Sequence, residues 1–195
     1  EPSAISYLKL ENAYREFVYD VYLDVPDPAK NSIEKLLAPL GIPQNGRVSF
    51  QDAQGIVLSS LLGNAIYNET PGKADPGEDF VSHFLEKSKE GYSVHFASAA
   101  ALIFRYLGVP ARYAEGYLIT DRDVWGMQGG APFEVDETHA HAWVEIYRDG
   151  VGFIPFEVSS PYVMPMGEST SALSGGSGQS GPEEEPPEEP EPPES

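Results

Sequence analysis

The chain has 195 residues and a hydrophobic fraction of 41%, enough for one domain whose core needs neither metal nor disulfide to hold it. It contains no cysteine, which excludes a disulfide framework and any thiolate metal site. The formal charge of -19 argues against a nucleic-acid partner, which would need clustered Lys and Arg, and favours solubility and repulsion from anionic membrane surfaces.

The charge is unevenly spread. From Gly167 to Ser195 there is no Lys or Arg, only Ser, Gly, Pro and Glu apart from Thr170, Ala172, Leu173 and Gln179, and taking away its eight glutamates moves the formal charge from -19 to -11. The composition predicts a domain over 1–165 and a disordered Ser/Gly/Pro/Glu-rich linker over 166–195. No stretch has the apolar length of a membrane span and no signal peptide is visible. A first residue of Glu and an ending in Pro/Glu repeats lead us to expect an excised piece, with the linker continuing to a membrane anchor or a further domain.

In chain order, residues 4–23 place Ile5, Leu8, Leu10, Tyr14, Phe17, Val18 and Val21 at a spacing that suits an amphipathic helix. Asn31 or Ser32 starts a second short helix ending near Leu37, with Gly41 and Pro43 marking the exit. Ser49 and Asp52 form a capping pair for a helix from Phe50 to about Tyr67, whose buried face is Ile56, Leu58, Leu61, Leu62 and Ile66. Residues 70–78 are turn-rich, and a short helix carries Phe80, Val81, Phe84 and Leu85. The run from Val94 to Leu107, rich in alanine and apolar nearly all round, predicts a buried central helix. Gly108 and Pro110 end it. Residues 111–119 read as a strand, and 120–138 as a loop long enough to be functional.

His141–Tyr147 and Val151–Val158 predict a hairpin closed by Arg148-Asp149-Gly150. A three-residue loop with Gly150 left-handed gathers Ala142, Val144, Ile146, Ile154, Phe156 and Val158 on one apolar face. The other face holds His141, Trp143, Glu145, Tyr147, Phe153 and Glu157 and suits a cleft wall. That register sets His141 opposite Glu157, close enough for a carboxylate to orient an imidazole.

Gly91-Tyr92-Ser93-Val94-His95-Phe96-Ala97, Arg105-Tyr106-Leu107-Gly108-Val109-Pro110-Ala111-Arg112, Gly116-Tyr117, His139-Ala140-His141-Ala142-Trp143-Val144-Glu145 and Phe156-Glu157-Val158-Ser159 together resemble the signature of transglutaminase-like domains. The strong match covers residues 79–160, and the helical lead-in resembles that of bacterial secreted or membrane-tethered members. The resemblance implies an α+β, papain-like fold: N-terminal helices, and a buried central helix that carries the nucleophile position and packs on an antiparallel sheet. It also implies an extracellular or cell-surface location, and acyl transfer or hydrolysis on a peptide or protein substrate without a cofactor or metal. By position, Ser93 stands where the nucleophilic cysteine belongs, His141 at the general base, and Glu157 where the orienting acid, usually Asp, belongs. Trp125, Trp143 and Tyr92 are candidates for shaping the substrate groove.

The serine is the main departure. A nucleophile at the first turn of a helix feels the positive end of the helix dipole, which lowers a thiol's pKa; a hydroxyl is not ionised by such fields and needs a base and oxyanion donors during attack. Position 93 therefore reads as a replaced cysteine, a natural loss of activity, or a serine enzyme. The rival to a catalytic reading is a peptide- or protein-binding module on the same fold. Each residue also has a plainer role: Ser93 as a helix N-cap, His141 as a structural histidine, Trp125 as a loop anchor. His139 competes with His141 by parity, His95 is expected in the core, and His83 on the surface. A metal held by His139 and His141 lacks an evident third ligand.

Overall fold

The structure is a computed structural model that describes residues 2–42 and 48–163. The expected linker and Pro43 lie outside those residues. Helix α1, Pro2–Val21, is followed by α2, Asp27–Leu37. The second helix begins earlier than expected, because Pro28 brings a preset φ to the first turn and Asp27 places a carboxylate at the positive end of the dipole. Of the apolar positions assigned to α1, Val18 is buried, whereas Leu8, Leu10, Tyr14, Phe17 and Val21 are exposed. Their spacing is helical, but spacing cannot report whether a neighbour covers the stripe.

Helix α3, Phe50–Asn64, opens on the expected cap, with the Asp52 N–H donating to Ser49 Oγ at 3.1 Å. It stops short of Tyr67. Gly63 and Asn64 weaken the last turn, and Ile66–Tyr67 (β1) pairs in parallel with Glu90–Gly91 (β2). The Ile66 N–H donates to the Lys89 carbonyl at 2.9 Å and the Asn68 N–H to that of Gly91 at 2.8 Å. Ile66, expected on the buried face, is exposed. Between these strands, α4, Phe80–Ser82, runs on as a π-helical turn, His83–Ser88.

Helix α5, Ser93–Tyr106, is the expected central helix; Phe96, Ala97, Ala99, Ala100, Ile103 and Phe104 are fully buried. Each buried phenylalanine is worth about 1.5–3 kcal/mol of transfer free energy. The helix ends in a Schellman motif. Gly108 takes φ +84, the Val109 N–H reaches the Phe104 carbonyl at 2.9 Å, and the Gly108 N–H reaches that of Arg105 at 3.0 Å. Arg105 then ties the exit, its Nε donating to the Ala111 carbonyl at 2.8 Å.

Strands β3 (Ala111–Tyr117), β4 (Ala140–Arg148) and β5 (Gly152–Phe156) form an antiparallel sheet in that order. The hairpin loop is Asp149-Gly150-Val151, with Gly150 left-handed at φ +74, and Arg148 pairs with Gly152. The register is therefore two residues from the expected one. A shift of two leaves every side chain on its face, so Ala142, Val144 and Ile146 are still buried, as is Val158. It also means that Glu157 is not directly opposite His141 but follows β5 and reaches it diagonally. The other face is not an open wall along its length. Rings of Tyr14 and Tyr19 from α1 meet Tyr147 edge-on at 6.1 and 6.3 Å, and Arg112 pairs with Glu145 at 2.6 Å while lying over Phe153. Helix α5 covers the core face, with α2 and α3 packed against α5; the C-terminal part of α1 covers the far end of the opposite one.

Candidate functional site

Two packed elements position residue 93. Gly91 ends β2, and a Cβ there would lie 2.5 Å from His95 Cβ and 3.0 Å from Phe84; the absent side chain lets the chain enter α5 beneath the His95 ring. The Tyr92 N–H points at His95 Nδ1 at 3.4 Å. Tyr92, not Ser93, is the N-cap residue, and Ser93 is the first residue of the helix, so the plain capping role does not account for the serine. Ser93 is 4% exposed. His95 is enclosed by Phe80, Phe84 and Tyr92, with ring centroids 4.6, 5.5 and 4.8 Å away. Burial, and then nearby His83, hold its imidazole below the usual histidine range, so it is a neutral packing and capping group.

Ser93 and His141 line one cavity of about 440 Å³ together with Tyr92, Tyr113, Glu115 and Tyr117. Behind His141, Nε2 meets Glu157 Oε2 at 2.6 Å. The other oxygen, Oε1, accepts from the backbone N–H of Val158 at 2.9 Å and of Ser159 at 2.7 Å. Burial raises the Glu157 carboxyl, but the hydrogen bonds from His141 and the Ser159 N–H outweigh it and hold the group below the ordinary carboxylate value. A carboxylate only accepts, so Nε2 carries the proton and the lone pair of neutral His141 sits on Nδ1. The imidazole is further fixed by Tyr162, edge-on at 4.7 Å, and by Trp143, nearly parallel at 6.5 Å.

Tyr67 also meets this site. Its phenol faces the backbone N–H of Ser93, and burial, and then Tyr162, push that phenol up to about 12. Neither Tyr67 nor Tyr162 stood out in the sequence: Tyr67 was absorbed into a helix, and Tyr162 lies in the turn that follows the last strand. The alternation of β3 does carry a signal for Tyr113, Glu115 and Tyr117, which share one face.

Other expectations fare differently. Tyr92 lines the cavity and Trp143 stacks beside His141, but Trp125 is 86% exposed on its loop and neither anchors it nor lines the cavity. His139 is not a strand residue: it closes a turn, Glu137–His139, with Nδ1 3.0 Å from Asp136 and its ring against Phe133. His83 is part-buried against Glu78, at 2.9 Å, rather than on the surface.

The model of the transglutaminase-like superfamily matches residues 52–158, and the chain belongs to that superfamily. It is 30% identical over 161 residues to the uncharacterised protein YebA of Bacillus subtilis, covering 81% of this chain and 21% of YebA. Over 78 residues it is 33% identical to the protein-glutamine gamma-glutamyltransferase of Pseudomonas aeruginosa, covering 40% of this chain and 11% of that protein. The chain thus spans about a fifth or less of the length of these relatives. The periplasmic domain of TgpA from P. aeruginosa aligns with 73% of this chain and 48% of its own at 24% identity and a TM-score of 0.49. Among the described residues no helix is long and apolar enough to cross a membrane.

Proposed function

We propose that this chain is the acyl-transfer domain of a transglutaminase-like enzyme acting on peptide amides, with Ser93 at the nucleophile position, His141 as the base and Glu157 as its orienting acid, and that the serine leaves turnover much reduced. The observation that carries the reading is the His141–Glu157 pair at 2.6 Å in the wall of the cavity onto which Ser93 opens. With a cysteine at 93, Nδ1 of His141 takes the thiol proton, the sulfur attacks the amide carbonyl, the same proton passes from Nδ1 to the leaving nitrogen, and the C–N bond breaks. Water or an amine then attacks the acyl carbon and releases residue 93. The activity in the name of the P. aeruginosa relative, a protein-glutamine gamma-glutamyltransferase, makes the side-chain amide of glutamine the first acyl donor to try. The same reading puts the domain outside the cytoplasm, as part of a longer surface protein.

The test is Ser93→Cys treated with iodoacetamide across a pH range. Fast labelling at mildly acid pH, lost on His141→Ala, supports an activated thiol. A thiol titrating like free cysteine, near pH 8.5, refutes it and favours the second reading, a binding module that keeps the groove; the serine itself is the observation in that reading's favour. A third outcome, reaction of the unaltered chain with a fluorophosphonate probe, would make this a serine enzyme and overturn the claim of reduced turnover.

A further inference from the structure

A second cavity, of about 360 Å³, shares Tyr92 with the one that holds Ser93 and His141. The 69–74 loop, Phe80, His83 and His95 complete it, and the chemistry proposed for residue 93 leaves it without a role. His95 is only 9% exposed, and its ring is fixed by Phe80 and Tyr92 at centroid distances of 4.6 and 4.8 Å. The Tyr92 N–H faces its Nδ1, so in the neutral ring the proton lies on Nε2. That N–H has no partner among the described residues and is not sealed from solvent, as the Trp143 indole N–H is. It is the polar group that the ring can offer to the cavity it lines. His83 is set in the opposite sense. Its Nδ1 lies 2.9 Å from Glu78 Oε2, and a carboxylate only accepts, so Nδ1 carries the proton and Nε2 of the uncharged ring is an acceptor. One imidazole thus brings a donor and the other an acceptor. The aromatic side chains beside them, Phe80 and Tyr92, are both exposed. Glu69 and Lys73 bring one charge of each sign, which favours an uncharged ligand. A hydroxyl on a flat apolar body meets all of these conditions: it accepts from His95, donates to His83 and covers the two rings. A carboxylate has no proton for His83, an ammonium has no lone pair for His95, and a small carboxamide leaves the rings bare.

We propose that Phe80, His83, Tyr92 and His95 form a pocket for a phenol-type side chain, so that the domain selects peptides carrying a tyrosine next to the reacting residue. The inference deepens the acyl-transfer reading and rests on it for the pocket's place in a reaction, but not for binding. Two hydrogen bonds exchanged with water predict a preference for tyrosine over phenylalanine of about five- to tenfold. Alanine, with neither ring nor hydroxyl, binds most weakly.

The test uses the full chain with Ser93 in place, so that no turnover intervenes. Binding of N-acetyl-tyrosine amide, N-acetyl-phenylalanine amide and N-acetyl-alanine amide is followed at neutral pH by chemical-shift titration of the backbone amides. The tyrosine compound is expected to bind about five- to tenfold tighter than the phenylalanine one, with the shifts centred on residues 70–74, His83 and Tyr92. His83→Phe and His95→Phe should each remove most of that difference while keeping the affinity for phenylalanine. His95 also supports the turn at Tyr92, so His83→Phe decides the matter if His95→Phe fails to fold. Equal binding of the tyrosine and phenylalanine compounds, no detectable binding of either, or a preference that survives His83→Phe overturns the proposal. A second measurement places the pocket in the reaction. In the Ser93→Cys chain, ammonia release from glutamine peptides is compared with tyrosine, phenylalanine or alanine beside the glutamine. A kcat/KM about five- to tenfold higher for tyrosine than for phenylalanine, carried by KM, supports the pocket. If the Ser93→Cys thiol proves inert while the tyrosine preference in binding persists, the acyl-transfer reading falls and the pocket stands. A reactive thiol with no such preference overturns the pocket and leaves the acyl-transfer reading in place.

Discussion

Replacing Glu157 in two ways separates what its carboxylate does for the fold from what it does for His141. Oε1 accepts two backbone N–H groups and Oε2 faces His141 Nε2. Glu157→Ala leaves those two donors unanswered, at about 1–3 kcal/mol for each buried group. The Glu157 side chain is 27% exposed, so water reaches part of the space and the lower half of the range applies. The expected loss is about 2–4 kcal/mol, or a Tm lower by roughly 4–16 °C for a domain of this size. Glu157→Gln keeps an oxygen for the two N–H groups and costs about 1 kcal/mol, but it turns an NH₂ toward Nε2. That nitrogen must then accept, and the proton moves to Nδ1, the atom that has to be bare to take a proton from residue 93. In the Ser93→Cys background the Gln variant should therefore keep its fold and lose its reactivity. Iodoacetamide labelling at pH 6 is expected to fall on the order of 10²-fold, the span between a formed thiolate and the small ionised fraction of a free thiol of pKa about 8.5. Thermal melts and labelling rates measured on the two variants decide the matter. Unchanged labelling in Glu157→Gln would refute the argument that the carboxylate sets the imidazole tautomer; an unchanged Tm in Glu157→Ala would refute its hold on the backbone.

Acid titration gives two further expectations. Glu157 is held below its ordinary value of 4.5, so its contribution to stability is full above the unfolded pKa and is lost as pH falls through the lower folded one; the difference in unfolding free energy between the chain and Glu157→Gln should shrink below about pH 4.5. His95, held below 6.5 chiefly by burial, is protonated first in the unfolded chain, so stability declines as pH falls from 6.5, and His95→Phe should remove that slope in denaturant titrations while losing the acceptor for the Tyr92 N–H. Gly91→Ala sets a Cβ 2.5 Å from His95 Cβ, an atom held in the first turn of the buried central helix, and should cost about 1–3 kcal/mol of stability and slow labelling of a cysteine at 93. Gly108→Ala, at φ +84, should cost about 1–2 kcal/mol without touching that labelling.

The parts of the fold legible in the sequence are those where one local rule acts alone. The central helix followed from its unbroken apolar run and its Gly-x-Pro stop, and the structure terminates it by the hydrogen bonds such a stop predicts. The pairing of His141 with Glu157 followed from strand alternation, because parity alone puts them on one face. The two-residue difference in register came from the loop: Gly152, at φ +101, ends the turn one residue later than a loop centred on Asp149 would. Side-chain parity survives such a shift and direct opposition does not, which is why the pair was right while its geometry was not. Other features were set by tertiary neighbours. Ile66 and Tyr67 are helical by periodicity but are captured by β2, four-and-twenty residues away. Trp125 has the composition of an anchor and no surface to anchor to. The exposed stripe of α1 was visible as a stripe; its lack of a cover was not.

The serine at position 93 raises a structural question of its own: whether the site around it is held by that hydroxyl or stands without it. The hydrogen bonds that fix the imidazole and the carboxylate run from His141 to Glu157 and from Glu157 to the backbone of Val158 and Ser159, and none passes through residue 93. The backbone of that residue is fixed in turn by the helix, by the Tyr92–His95 hydrogen bond and by the packing of His95 over Gly91. The base system and the nucleophile position are thus two separately supported halves that meet across a cavity. A change confined to the side chain of residue 93 should leave both halves in place. Ser93→Cys substitutes a slightly larger and more apolar atom at a buried helix start, a swap expected to change stability by less than about 1.5 kcal/mol, or no more than roughly 6 °C in Tm. The melting temperature, compared between the two chains, measures this directly. A large loss of stability would mean that the serine had become a structural member of the site. The present arrangement would then be one that evolved around serine, and not a cysteine site with its nucleophile exchanged.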